Sequence, residues 1–300
     1  MKNYMVFDIG GSSVKASVIN EEGKILNNSK LNIPETIEEF FDKLVEATKS
    51  NQKEYEIEGI AISAPGAVDS VTGIIGGMSA IPYIHGPNFK EILYDKTGLK
   101  VEIENDANCA ALGECWIGAG KNENDLAFVV CGTGIGGAIV KDKRIHSGIH
   151  KHGGEFGYCI VDYSADRAKD KYLSWSIAGS TIALAKNIAK RKNLDEKEID
   201  GLKAFELFEA GDKIAIEEVE KYFRYMAIGI YNIQYTYDPE VIILGGAICE
   251  REDYIESINR KLEELIKESG AKIMPLIKKC EYGNDANKIG ALYNYLSRNK

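Results

Sequence analysis

Two stretches of this chain share one pattern, and that pattern limits what the rest can be. Residues 4–25, YMVFDIGGSSVKASVINEEGKI, run from an apolar strand through a glycine-rich reversal into a second strand and a charged turn. Residues 126–145, LAFVVCGTGIGGAIVKDKRI, repeat the same order. One such hairpin is commonplace. Two of them, heading halves of similar length, predict a duplicated α/β unit whose loops face each other across a cleft. The glycines at Gly118 and Gly120 and the polar run KNEND after them mark the boundary, giving an N-terminal domain over 1–118 and a larger one from 119.

The pattern of apolar positions fills in the elements. After the opening meander, TIEEFFDKLVEATKSN places Ile37, Phe40, Phe41, Leu44 and Val45 on one helical face, with Thr36 as N-cap and Glu39 completing a capping-box pattern. IEGIAISAPG reads as a buried strand stopped by Pro65 and Gly66, and KVEIENDANCAALGECWIGAG as a strand, a polar tip and a helix from about Ala107 to Ile117. The second half predicts helices around 176–192, 203–211, 213–236 and 252–268. It also predicts strands in EVIILGG and KIMPLIKKC and a closing helix over 284–296.

Charge and cysteine content exclude several classes. The chain has 37 Lys+Arg against 46 Asp+Glu, a formal charge of −9 that repels a phosphate backbone and argues against nucleic acid as a partner. Its six cysteines are scattered without a CxxC pair, the pattern of buried thiols in a reducing compartment. No stretch approaches the roughly 18 apolar residues of a membrane span, and Asp8 interrupts any signal-like run. A cytoplasmic protein that does not bind membranes is expected.

Three loops have the composition of nucleotide cradles. In DIGGSSVK, Gly10 and Gly11 let backbone N–H groups approach an anion and Ser12 adds a hydroxyl. Asp8 could hold magnesium through water, and Lys15 is either a phosphate ligand or an ordinary exposed strand residue. CGTGIGG offers Thr133 and Gly134; its GxGxxG leads into strand rather than helix, which rules out a dinucleotide fingerprint. LGGAI ends a strand at Gly245 and Gly246, where a base and ribose can lie against bare backbone. Each loop alone is equally well read as glycine used for close packing; three together favour a nucleotide.

ENDAN is the sharpest local feature. Asp106 lies between a buried strand and a helix, where α/β sheets place ligands. A carboxylate there can take a hydroxyl proton as the oxygen attacks phosphorus, with Asn105 orienting the hydroxyl. Alternatively, Asn105 or Asp106 only caps the helix. HSGIHKHGGEFGYC, residues 146–159, offers His146, His150, His152 and Cys159 as metal donors, or Glu155, fenced by Gly153, Gly154 and Gly157, as a ligand for a small molecule.

Taken in order, DIGGSSVK, ISAPGAVD, ENDANCAALGE, CGTGIGGAIV, GGEFGY and ILGGAI resemble the ROK family of bacterial sugar kinases and repressors, from about residue 4 to the closing GALYNYL. The resemblance implies a two-domain α/β fold of the actin-like, hexokinase type (ribonuclease H-like), with a cleft between domains 1–118 and 119–283 and the last helix, about 284–300, returning to the first. It implies ATP- and Mg2+-dependent phosphorylation of a hexose at the 6-hydroxyl. Asp106 corresponds to the catalytic base; Gly66, Asn105 and Glu155 correspond to sugar ligands, and His152 is a candidate to line the same pocket. Gly10, Gly11, Ser12, Lys15, Thr133 and Gly134 would lie near the phosphates, Gly245 and Gly246 near the nucleoside, and a homodimer is the usual assembly.

The chain departs from the family pattern at its zinc segment. Tyr158 stands where a histidine is usual three residues after the glutamate, and DYSADRAKDKYLSW has no cysteine. Zinc is therefore not expected. A further sugar-touching glutamate is replaced near Ser174 or Trp175, and GGMSAIPYIHG lacks the usual NLP loop. Zinc-less members with GEFGY resemble β-glucoside kinases and some N-acetylmannosamine kinases. The Asn-, Lys- and Ile-rich composition tilts the expectation to N-acetylmannosamine, with β-glucoside kinase or glucokinase as the alternative. A repressor would carry a helix-turn-helix ahead of FDIGG. A non-catalytic sugar-binding regulator is the remaining reading, and it would be expected to lack Asp106 or the phosphate loops.

Overall fold

A computed structural model describes residues 1–164 and 171–299. In chain order the first elements are β1 (Asn3–Ile9), β2 (Ser13–Asn20), β3 (Ile25–Asn32), α1 (Ile37–Asn51), β4 (Ile57–Ala64), β5 (Ala67–Asp69), β6 (Ile74–Gly76), α2 (Phe89–Thr97), β7 (Lys100–Asn105) and α3 (Asp106–Trp116). Next come β8 (Leu126–Cys131), β9 (Ile135–Lys141), β10 (Arg144–Ile145), β11 (Ile160–Ser164), β12 (Lys171–Ser174), α4 (Trp175–Gly179), α5 (Thr181–Lys192), α6 (Gly201–Glu209) and α7 (Lys213–Tyr237). The chain closes with β13 (Val241–Gly245), α8 (Tyr254–Ser269), β14 (Ile277–Lys279) and α9 (Ala286–Arg298). Two compact units result: one of Met1–Asn122, Lys143–Gly153 and Asn284–Lys300, the other of Glu123–Asp142 and Gly154–Gly283.

The first unit is built on a sheet of order β3-β2-β1-β4-β7, antiparallel through the meander and parallel from β1 to β7. Strand alternation gives the sheet two unlike faces. Met5, Phe7, Ile62 and Ile103 pack with Phe40, Phe41 and Leu44 of α1 and Phe89 and Leu93 of α2. Burying each of these large side chains contributes about 1.5–3 kcal/mol. Tyr4, Val6 and Ala61, on the other face, meet Cys109 of α3 and Ala291, Leu292 and Tyr295 of α9. The expected capping at Thr36 is present, its hydroxyl accepting from Glu39 N at 3.3 Å. α2 follows from signals of the same kind, Asn88 accepting from Lys90 N and Glu91 N and Gly98 closing the helix in the left-handed region.

The second unit repeats the plan. Within it β9 pairs antiparallel with β8, as β2 does with β1, and β8, β13 and β14 run parallel, as β1, β4 and β7 do in the first. Its core gathers Val129, Trp175, Ile188, Tyr222, Phe223, Ile230, Ile242 and Leu262. Two expectations need correction here. The helix expected over 176–192 is two helices, because Ser180 is extended and its hydroxyl caps α5 by accepting from Ala183 N at 3.1 Å. The strand expected in KIMPLIKKC shrinks to β14, after Pro275, which has no N–H to give a ladder.

Five of the cysteines are buried and none forms a disulfide among the described residues; the sixth, Cys159, is exposed, contrary to the expectation of buried thiols throughout. Burial pushes the Cys249 thiol up to about 12. No helix among the described residues is long and apolar enough to cross a membrane.

Candidate functional site

The parallel strands of the first unit end together, and the candidate polar side chains lie on or next to their last residues. Asp8 pairs with Ser63 and Ser63 with Glu104 in register, and Ala64 pairs with Asn105 one step on. Asp106 is the first residue of α3 and Asn105 its N-cap, so the capping expected of one of the two falls to Asn105. Asn105 Oδ1 accepts from Ala107 N at 2.9 Å and Asn108 N at 3.2 Å, which uses both of its lone pairs. Its Nδ2 donates to Gly66 O at 3.0 Å, leaving one amide hydrogen among the described residues. Asn105 can therefore only donate to a ligand. Gly66 has φ +93°, and a Cβ there would come 2.8 Å from Gly76 O and 3.3 Å from the His85 ring, so the turn requires glycine. Asp106 Oδ1 accepts from Ala107 N at 2.8 Å, within a helix first turn whose N–H groups favour an anionic side chain.

Glu104 lies behind this tip, 6% exposed, accepting from Asn105 N at 2.8 Å and Asn108 Nδ2 at 2.9 Å. Burial raises its carboxyl above the ordinary value of 4.5, against the lowering effect of those two bonds. A raised folded-state value means that the native state takes up a proton more readily than the unfolded chain does. Stability from this group is thus present below about pH 4.5 and is lost as pH rises through the folded value. Glu104→Gln keeps an oxygen for both bonds and removes the buried charge. Thermal melts should show it more stable than the parent at neutral pH, with the gain vanishing below the carboxylate range. A gain that persists at pH 4 would overturn the assignment.

Asp8, 5% exposed at the end of β1, is surrounded by donors. Its Oδ1 accepts from Ser63 Oγ at 3.0 Å and Asn287 Nδ2 at 3.3 Å; its Oδ2 accepts from Lys15 Nζ at 3.1 Å, from the directly opposite position on β2. One lone pair remains on the carboxylate, on Oδ2. That suits contact with a magnesium-bound water rather than direct coordination, so the residues fit the expected metal in its outer shell. Lys15 is therefore not a simple exposed strand residue. Gly10, Gly11 and Ser12 are exposed in the turn between β1 and β2, where Gly10 N donates to Ser13 O at 3.0 Å. Neither glycine has positive φ; what limits a side chain at Gly11 is Ala80, 3.0 Å from where a Cβ would sit.

In the second unit, the β8–β9 turn is tied down by its carbonyl. Gly132 O accepts from Thr181 Oγ1 at 2.7 Å and Thr181 N at 3.2 Å, leaving Thr133 exposed. Gly134 lies beside Ser176, whose hydroxyl exchanges two hydrogen bonds with the backbone of Ile135. At the end of β13, Gly246 (φ +103°) brings the chain against β8 so closely that a Cβ would sit 2.1 Å from Cys131 O. Thr133, Gly134, Gly245 and Gly246 thus share one end of one sheet. Glu155 is exposed between two glycines pressed onto β9: a Cβ on Gly154 would sit 2.6 Å from Ala138 Cα, and one on Gly157 2.1 Å from Ile135 O. Substitution at either would displace the carboxylate.

The histidines of residues 146–152 belong to the first unit and are exposed. His152 Nδ1–H donates to His150 O at 2.6 Å, which leaves Nε2 as its outward acceptor. Between them Lys151, at φ +61°, approaches Asp69 at 3.5 Å. Among the described residues no three His, Cys, Asp or Glu side chains are placed to hold one metal ion. The segment expected to lack zinc ligands falls partly on residues 165–170, outside the described residues. Trp175 is wholly buried in the core, which removes it as a replacement for the missing glutamate; Ser174 is half-buried. Ser63, Asn287 and Ser176 escaped the sequence reading. Ser63 had a signal, a hydroxyl in an otherwise apolar strand just before the Pro-Gly turn; Asn287 had none.

A model of the ROK family matches residues 4–297. The chain belongs to the ROK family. It is 31% identical over 290 residues to a β-glucoside kinase of Klebsiella pneumoniae, covering 96% of this chain and 94% of the relative. It is 30% identical over 313 residues to an N-acetyl-D-glucosamine kinase of Histophilus somni (strain 129Pt), covering 98% and 99%. A crystal structure of a ROK family protein from Streptococcus pneumoniae TIGR4 in complex with sucrose superposes with a TM-score of 0.88 at 36% identity, over 98% of this chain and 99% of that one. The two-sheet α/β architecture described above is the ROK, hexokinase-like fold.

Proposed function

We propose that this ROK-family sugar kinase transfers the terminal phosphoryl group of ATP to the 6-hydroxyl of a hexose, and that the favoured hexose is the glucose unit of a β-glucoside. The observation that carries the reading is Asp106 at the first position of α3, on a tip braced by Asn105 and Gly66. In this scheme Asp106 accepts the hydroxyl proton as the oxygen bonds to phosphorus and the bond to the leaving ADP breaks. Asn105 gives its remaining amide hydrogen to a sugar oxygen, Glu155 accepts sugar hydroxyl protons, and Gly66 and His152 complete the sugar contacts. Gly10, Gly11, Ser12, Lys15, Thr133 and Gly134 serve the phosphates, with Gly245 and Gly246 against the nucleoside. Magnesium, when bound with ATP, neutralises phosphate charge, and Asp8 would hold it through water. A zinc-free, cytoplasmic homodimer completes the reading, with the family resemblance as its support.

The named relatives support a β-glucoside better than N-acetylmannosamine, the sugar favoured from sequence alone. An ADP-release screen with Mg·ATP against cellobiose, glucose, mannose, N-acetylglucosamine and N-acetylmannosamine tests the choice. The highest kcat/KM is expected with cellobiose. A clear preference for N-acetylmannosamine would restore the sugar favoured from sequence, a preference for N-acetylglucosamine would overturn both choices, and silence with every sugar would overturn the kinase assignment.

A further inference from the structure

We propose that Lys15 is the built-in counter-ion of Asp8, and that the phosphates of an arriving nucleotide draw it off Oδ2 and so remove the positive charge that repels a hydrated divalent cation from that oxygen. This rests on the reading of Asp8 as the residue facing the metal. The two carboxylate oxygens are held in different ways. Oδ1 is pinned by Ser63, which is fully buried on β4, and by Asn287 near the start of α9, so its rotamer is fixed from two elements. Oδ2 has Lys15, whose ammonium is 3.1 Å away while its side chain is 41% exposed. The second acceptor for that ammonium is the carbonyl of Asn284, at 3.5 Å, a weak hold.

A buried carboxylate needs a partner when no ligand is present, and the register that puts Lys15 opposite Asp8 supplies one. The same lysine stands three residues beyond Ser12, on the strand leaving the turn proposed to hold the phosphates. An ammonium moving from a single carboxylate oxygen to a polyphosphate gains charge-assisted bonds. Its departure removes the ammonium's repulsion of the cation and adds a second Oδ2 lone pair that can accept from metal-bound water. The lysine therefore couples metal and nucleotide, so that the enzyme takes them together and resists the bare cation.

The test measures Mn2+ binding to the whole protein by electron paramagnetic resonance, first with Mn2+ alone and then with ADP added. Wild type should bind Mn2+ weakly alone and more tightly with ADP. Lys15→Met should bind Mn2+ alone about threefold or more tighter, the scale of a half-exposed ion pair. That gain should shrink as ionic strength rises, and the enhancement by ADP should shrink with it. Lys15→Arg, which keeps the counter-ion, should resemble wild type. Unchanged or weaker binding of Mn2+ alone by Lys15→Met overturns the proposal. Asp8→Asn separates the two failures: if it leaves Mn2+ binding with ADP unchanged, the reading of Asp8 falls, and the counter-ion role with it. If Asp8→Asn weakens binding and Lys15→Met does not alter it, only the counter-ion role falls.

Discussion

Asp106→Asn is expected to lower sugar-dependent ADP release by between about a hundredfold and ten-thousandfold, the range for loss of a general base. The substitution is nearly isosteric. Its amide oxygen can still accept from Ala107 N, Asn105 still caps α3, and the tie to Gly66 is untouched, so thermal stability should stay close to that of the parent. What disappears is the basic lone pair that takes the proton. The loss should fall on kcat, with KM for the sugar changing only a few-fold, as expected when an interaction made in the transition state is removed. Near-normal turnover by a folded Asp106→Asn protein would sink the general-base role.

Gly290→Ala should cost about 3 kcal/mol or more of stability, the upper range for overpacking a core, because the clash is with backbone. A Cβ at Gly290 would sit 1.6 Å from Cys109 O and 2.7 Å from Gly113 N, and one at Gly113 would sit 2.4 Å from Ala286 O. α3 and α9 therefore approach closely enough that neither helix tolerates a methyl group at this crossing. At about 2–4 °C per kcal/mol for a protein of comparable size, the melting midpoint should drop by roughly 6–12 °C. Activity should fall as well, since α3 begins with Asp106. Gly132→Ala is the control: its Cβ would meet no atom within 4 Å and its φ is not positive, so its melting should be nearly unchanged. Equal melting temperatures for the two variants would show that the helices can separate at little cost.

The parts legible in the sequence are those governed by neighbours along the chain. The meander, the face of α1, Asp106 at a strand-to-helix junction and the glycine-flanked Glu155 all follow from period, capping and turn chemistry. α2 is equally legible from the Asn88 cap and the Gly98 stop. Differences arise where local pattern and tertiary packing compete: Ser180 breaks an otherwise continuous helical stretch, and Trp175, offered with Ser174 as the position replacing a sugar-touching glutamate, is buried in the core of the second unit. The histidine-rich loop was ambiguous on composition alone. Composition left metal donors and a small-molecule ligand both open there, and the fold leaves the histidines exposed.

The sequence alone determined the duplicated strand plan, the family and the residues of the loops, because strand alternation, turn glycines and caps act over a few residues. Only the tertiary structure decided which oxygen of Asp8 is pinned and which is left to Lys15. It likewise decided that Asn105 has one hydrogen to offer, and that Gly290 and Gly113 let two helices touch. Each of these depends on partners 39 or more residues apart in sequence, as in Asn105 with Gly66 or Asp8 with Asn287, or on the register of a strand pair. Hydrogen bonds and steric contacts act over about 3 Å, and no spacing along the chain reveals which distant atoms come that close.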